Sequence, residues 1–389
     1  MKTIIYIFAI TSCMQILTAQ EDLSSLVKEN AKTFSIQNNQ FVGDGWNQVL
    51  EEIKAHNNIL IGEDHFFNEV PFFISKISSE VKFDNYFCEI DPYSAEIIQE
   101  KIKTLSQQKL EQYTKMFSNT FSFYALEPEF ELLKRFAVSN TTIIGTDQIV
   151  LNADRLIFSE LKKETKNMKA LNIYSDIIKQ STVHFNQFIK GNGSPYIFSE
   201  DFNKNIDSLK ILKLSSKEQK IIEDIELSQQ IYQTQNHNLR VQLMKHNLVD
   251  NFNAFSNSKN LFKYGATHMP KGESLLKNYD LGNLVSNIAE SQFQTSLHIM
   301  IIGKSGLQGV PFKGMKPQIL DIESNDLKHY KIFFDATDKN EWYVFNTKEI
   351  LKKAQSKRIE VGDKTLERVL KGYNYLIVIP EVTPSKFMN

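Results

Sequence analysis

The chain has 389 residues and balances 45 Lys+Arg against 46 Asp+Glu, for a formal net charge of −1. That balance argues against a nucleic-acid binder, which carries a basic excess, and 41% hydrophobic with 23% charged residues argues against a disordered chain. Only 15 Gly and 9 Pro are present, well under the roughly 7% and 5% of average usage, so many helices and few tight turns are expected.

Met1–Gln20 reads as a secretory signal: Lys2 is the charged start, Ile4–Ile10 is apolar, and Leu17-Thr18-Ala19 offers small residues before Gln20. Thr11, Ser12 and Gln15 interrupt the apolar run, which is therefore short of the about 20 apolar residues that a membrane span needs. Cleavage at Ala19 predicts an exported protein, periplasmic or secreted, with residues 1–19 removed and no integral membrane span afterwards. Ile10-Thr11-Ser12-Cys13 has a faint likeness to a lipoprotein box, but more apolar sequence follows Cys13. Cleavage leaves one cysteine, Cys88, within the apolar run Tyr86-Phe87-Cys88, where core packing is its expected role.

Six short runs then read as buried strands: Asn58–Gly62, Asn85–Ile90, Thr141–Gly145, Leu261–Gly265, Ser296–Gly303 and Tyr375–Pro380. They are rich in Ile, Val, Phe and Tyr and do not alternate with polar residues, as strands covered on both faces do not. Helical patterns lie between them. Asn68 is placed to cap a helix starting at Glu69 with Pro71 in its first turn, and Tyr93–Leu105 and Pro128–Val138 follow later strands. This alternation predicts an α/β fold, a mainly parallel sheet flanked by helices. Residues 20–150 form the first part of a hydrolase-like α/β domain and 236–389 the second part. Between them, 151–235 holds no strand signal and is expected to be a helical insertion, either a cap over a cleft or an extra packing layer. Ser215-Ser216-Lys217-Glu218 has the pattern of a capping box. A long helical pattern runs on through Ile221, Ile225, Leu239, Leu243 and Phe252, with a break near Asn236-His237.

Ionisable residues recur where the strands end. Glu63-Asp64-His65 and Glu69 follow the first run, Glu89 and Asp91 the second, Asp147 the third and His268 the fourth. An acid after one strand is ordinarily a helix cap, whereas recurrence at four strand ends points to one shared site, because ligands of open α/β sheets bind there. Gly62-Glu63-Asp64-His65 and Gly265-Ala266-Thr267-His268 repeat one Gly-x-x-His pattern in matching positions. The glycine is expected to let the backbone turn, placing an imidazole at the sheet mouth. Arg240, Met244 and Asn247 fall on one helix face.

In this order these residues resemble erythromycin esterase-like proteins, over about 60–305 of the chain. The paired Gly-x-x-His motifs are also similar to the wider superfamily of Tiki/TraB metalloproteases and ChaN haem-binding lipoproteins. The usual esterase motif has one more residue between Glu and His, and a Gly where this chain has Phe66. The resemblance implies a hydrolytic site without a cofactor, acting on a small-molecule or peptide substrate. His65 would be the general base that takes a proton from water. Glu63 and Glu89 would orient His65 or the water, and His268 would position substrate or support the developing charge. Arg240 would stabilise an oxyanion or hold an acidic partner, with Glu69, Asp147 and Asn247 in substrate-binding or supporting roles. A second reading is a metal-dependent hydrolase or peptidase of the Tiki/TraB type, with His65, His268, Glu63 and Glu89 as ligands of a divalent metal. A third is a non-enzymatic haem- or metal-binding protein. No Gly-x-Ser-x-Gly elbow and no His-Glu-x-x-His motif occurs, so neither a serine hydrolase nor a zincin has sequence support. Of the remaining histidines, His298 lies inside an apolar strand and is expected to be a hydrogen-bonded core residue.

Overall fold

Runs of β-branched and aromatic residues without polar alternation must be covered on both faces, and all six predicted runs are strands. The computed structural model describes residues 23–338 and 340–388; the export signal read over 1–19 lies outside them. In chain order the strands are β1 (Ala31–Gln37), β2 (Gln40–Val42), β3 (Asn58–Glu63), β4 (Asn85–Cys88), β5 (Thr142–Gly145), β6 (Asn260–Gly265), β7 (Ser296–Gly303), β8 (Leu307–Gln308), β9 (Gln318–Ile319), β10 (Trp342–Asn346) and β11 (Tyr375–Ile379). The class is α/β, with a mainly parallel sheet flanked by helices. Among the described residues no helix is long and apolar enough to cross a membrane.

The chain divides into two units. The first takes the described residues up to Lys82 with Leu261–Gln308 and Pro317–Pro384; the second takes Phe83–Asn260, Gly309–Lys316 and the residues from Ser385. In the first unit the strand order is β2-β1-β10-β11-β7-β3-β6. β3 and β11 both run parallel to β7, with Asn58 opposite Ser296 and Tyr375 opposite Ile299. β3, β6, β7 and β11 are buried along their whole length. The other edge is antiparallel, β1 pairing with β2 and β10, and β10 with β11. The hairpin β1–β2 carried no strand reading in the sequence because most of its side chains are exposed or half-buried. Asn38 and Asn39 at its tip have φ of 49° and 61°, the paired left-handed conformation that two-residue hairpin turns require. His298 on β7 is wholly buried and hydrogen-bonded on both ring nitrogens, to Met269 O at 2.6 Å and Ser296 Oγ at 2.7 Å. A carbonyl only accepts, so Nδ1 carries the proton. Burial holds the imidazole neutral and pushes its pKa down to about 3.

In the second unit β4 and β5 pair in parallel from Asn85–Thr142 to Cys88–Gly145. Cys88 is buried there, the packing role expected of it. Four α-helices occupy most of 151–235: Asp154–Glu164, Met168–Phe188, Glu200–Lys210 and Ser216–Thr234. They close on a common core that includes Phe158, Leu161, Tyr174, Ile177, Ile221 and Ile225. The capping box forms, with Ser215 Oγ accepting from Glu218 N and Glu218 Oε2 accepting from Ser215 N. The predicted break is real. Gln235 takes a left-handed φ of 50°, and Asn236 caps a new helix, His237–Asp250, through the N–H of Leu239.

Candidate active site

The predicted site residues fall into two groups, one in each unit. In the first unit β3 ends at Glu63, and the chain turns through Asp64, His65 and Phe66 before the helix Glu69–Glu80. Gly62 lies inside β3 and has no left-handed φ; the turn does not begin there, contrary to the role expected of this glycine. It is needed for space, since a Cβ would come within 2.6 Å of the Tyr373 hydroxyl. The left-handed residue is Phe66, at φ 74°. A bulky side chain there is strained, and the esterase motif has Gly at that point.

Glu63 is the hub of the first group. His65 Nδ1 lies 2.9 Å from its Oε1, and Lys263 Nζ lies 2.5 Å from the same oxygen. The side chains of Glu63 and Lys263 are each 2% exposed, while His65 is 22% exposed. Burial pushes the Glu63 carboxyl up, but the Lys263 ammonium and the hydrogen bond from His65 outweigh it and hold it below the usual range. An ionised Glu63 accepts from Nδ1–H, which fixes the ring tautomer and makes Nε2 the basic nitrogen. The turn is pinned from outside by Gln308 Nε2, which donates to the His65 carbonyl at 3.0 Å. Asp64 differs from its neighbours. Its Oδ2 is buried without a hydrogen-bond partner among the described residues, and burial pushes its pKa up to about 7.

β6 delivers the second imidazole. Ala266 N donates to the Glu63 carbonyl at 2.9 Å, so the turns after β3 and β6 leave adjacent strands side by side. His268 is buried, and its Nδ1 lies 3.1 Å from Asp280 Oδ2. Asp280 is itself fixed as the cap of the helix Leu281–Ser291. Both Gly-x-x-His histidines therefore turn Nδ1 to a buried carboxylate. Glu69 faces another partner: its carboxylate accepts from the N–H and hydroxyl of Thr383. Asn68 starts the helix where expected, yet its side chain bonds Thr383 Oγ1 and the Pro384 carbonyl rather than capping.

The second group is an ion triad. Arg240 Nε donates to Asp147 Oδ1 at 2.8 Å, and Nη2 donates to Asp147 Oδ2 at 2.6 Å and to Glu89 Oε1 at 2.7 Å. Burial opposes the guanidinium charge, but Asp147 and Glu89 outweigh it and raise the Arg240 pKa. Arg240 thus holds two acidic partners, Asp147 and Glu89. Asn247, two turns along the same helix, donates to the Thr146 carbonyl at 2.9 Å and secures the chain beside Asp147. Gly145 makes the approach possible. A Cβ there would meet the carbonyl oxygens of Ile90 and Asp91 at 2.5 Å, and Asp147 N donates to the former at 3.0 Å. Lys263 and Asp280 are the partners that sequence reasoning missed. The available signal was an ammonium inside the otherwise apolar run Leu261–Gly265.

Fold and strand ends together define an α/β protein that gathers ionisable side chains where its strands end. No protein-family model and no curated protein sequence matches the chain. Among solved structures, it is similar to a histidine-to-asparagine mutant of the erythromycin esterase EreC in its open conformation, with a TM-score of 0.56 and 12% identity over 92% of this chain and 99% of that one. It is similar to a succinoglycan biosynthesis protein, at 0.55 and 12% identity over 95% and 99%. A Bacillus cereus protein is also similar, at 0.54 and 14% over the same shares. The likeness at these identities is one of fold, and at that level it agrees with the resemblance read from the motifs.

Proposed function

We propose that the chain is a hydrolase in which His65, oriented by Glu63, activates water against an ester or related bond. The observation that carries this reading is the meeting of His65 Nδ1 and Lys263 Nζ on one oxygen of Glu63. The carboxylate is kept ionised, the tautomer is set, and Nε2 becomes the base. Water gives its proton to Nε2 and its oxygen to the carbonyl carbon. The acyl–oxygen bond then breaks, and the imidazolium returns the proton to the leaving alkoxide. Glu63 stabilises the imidazolium between these steps. His268, fixed in the same sense by Asp280, would hold or polarise the substrate from the neighbouring strand. The Arg240–Asp147–Glu89 triad is a supporting element of the second unit.

The partners of Glu63 and Glu89 disfavour these two carboxylates as metal ligands. Of the four candidate ligands, Glu63 already holds a buried ammonium and Glu89 a guanidinium, so a cation would have to displace a charge partner at each. The test begins with lactones and simple esters, because one protein of the same fold is an erythromycin esterase. On any ester hydrolysed, His65→Ala should lower kcat/KM by about 10²–10⁴-fold with the melting temperature unchanged. An equally active His65→Ala protein would overturn the proposal. Export by cleavage at Ala19 completes it: the substrate would then be extracytoplasmic, and N-terminal sequencing of the mature protein checks this.

A further inference from the structure

Away from these residues, the second unit holds a cavity of about 280 Å³. Its walls include Phe185, Ile189, Phe387 and Met388, and two of its lining residues are Lys115 and Lys313. Among the described residues, no Asp or Glu lines it. Beside it lies a buried cation. Arg155 donates from Nη1 to the Met116 carbonyl at 3.3 Å and from Nη2 to the carbonyl of Ser118, a lining residue, and its guanidinium stacks on Phe185, 4.1 Å from the ring centre. Arg155 is 5% exposed, and its Nε is buried with no hydrogen-bond partner among the described residues. The neighbouring carboxylate, Asp154, accepts from Ser181. The C-terminal wall is fixed by the backbone: Met388 N donates to the Ala125 carbonyl at 3.1 Å.

We infer that this cavity is a binding site for a small amphiphilic carboxylate, its head between Lys115 and Lys313 and its tail against Phe185, Ile189, Phe387 and Met388. Positive charge with no Asp or Glu among the described lining residues selects an anion, and the aromatic and aliphatic walls select an apolar tail. The volume holds roughly nine water-sized groups, which suits octanoate. A bare inorganic anion would leave the apolar walls uncovered, and a neutral alcohol would leave the lysines without a partner.

Calorimetric titration of the full chain with octanoate, octylammonium and octanol tests the site. Octanoate should bind at least tenfold more tightly than either of the others. The double charge reversal K115E/K313E alters two exposed side chains and should weaken octanoate at least tenfold with the melting temperature preserved. Ile189→Trp, at a half-exposed wall position, should fill the cavity and remove binding. His65→Ala should bind octanoate like the parent, which separates this site from product binding at the hydrolytic one. Equal binding of all three ligands, parent-like binding by either cavity variant, or loss of binding in His65→Ala would overturn the inference.

Discussion

Lys263 brings a charge into a strand that is buried along its whole length, and this is sustainable because Glu63 meets it at 2.5 Å. Lys263→Met should cost about 3–5 kcal/mol, the usual consequence of leaving one member of a buried pair uncompensated. The double variant Lys263→Met/Glu63→Gln should recover much of that. Urea unfolding of the three proteins decides the matter, and a neutral Lys263→Met would show that the pair contributes no stability. The same pair marks how far the site was legible in the sequence. Glu63, His65, Glu89, Asp147 and His268 could be found because each follows a strand run, and Arg240 because it lies on a readable helix face. Lys263 could not, because one lysine within Leu261–Gly265 reads as an interruption of the strand. Asp280 stands twelve residues beyond His268, a separation with no periodicity to reveal the contact. Phe66 was visible as a departure from the esterase motif, but its left-handed backbone was not.

At the level of elements, β5 and the chain leaving β4 are packed without side-chain clearance at Gly145. Gly145→Ala would drive a methyl group to 2.5 Å from two carbonyl oxygens. Overpacking typically costs about 1–3 kcal/mol, and backbone atoms yield less readily than side-chain ends, so the upper part of that range is expected. The displaced segment carries Asp91 and Asp147, so the Arg240 triad should loosen as well. Unfolding midpoints of Gly145→Ala and of a triad variant such as Arg240→Gln, alone and combined, should be less than additive; full additivity would separate the two effects. The elements themselves were largely legible. Continuous apolar runs locate β3–β7 and β11, and capping chemistry locates the helix that starts after Ser215. The β1–β2 hairpin was not legible, because an exposed edge needs no apolar signature. Its Asn-Asn tip was the one local clue.

For the molecule as a whole, buried titratable groups set a dependence of stability on pH. Asp154 is wholly buried, with Oδ1 taking the Ser181 hydroxyl at 2.7 Å and Oδ2 without a partner among the described residues. Burial raises its pKa from 3.8 to about 6. A carboxyl whose folded pKa is raised binds its proton more tightly when folded. Its stabilising contribution is therefore complete below about pH 4 and is lost as pH rises towards 6. Asp154→Asn should melt like the parent at pH 3.5 and be more stable at pH 8, by about 3 kcal/mol for a shift of about two pH units. Calorimetric scans at the two pH values check it, and equal stability at pH 8 would refute it. The contacts of Asn68 and Glu69 with Thr383 carry a consequence for biosynthesis. The turn bearing His65 leaves the ribosome early, whereas the residue that fastens the following helix lies 314 positions later. At about 5–20 residues per second, that turn waits on the order of 16–60 s for its latch, however quickly the neighbouring strands pair.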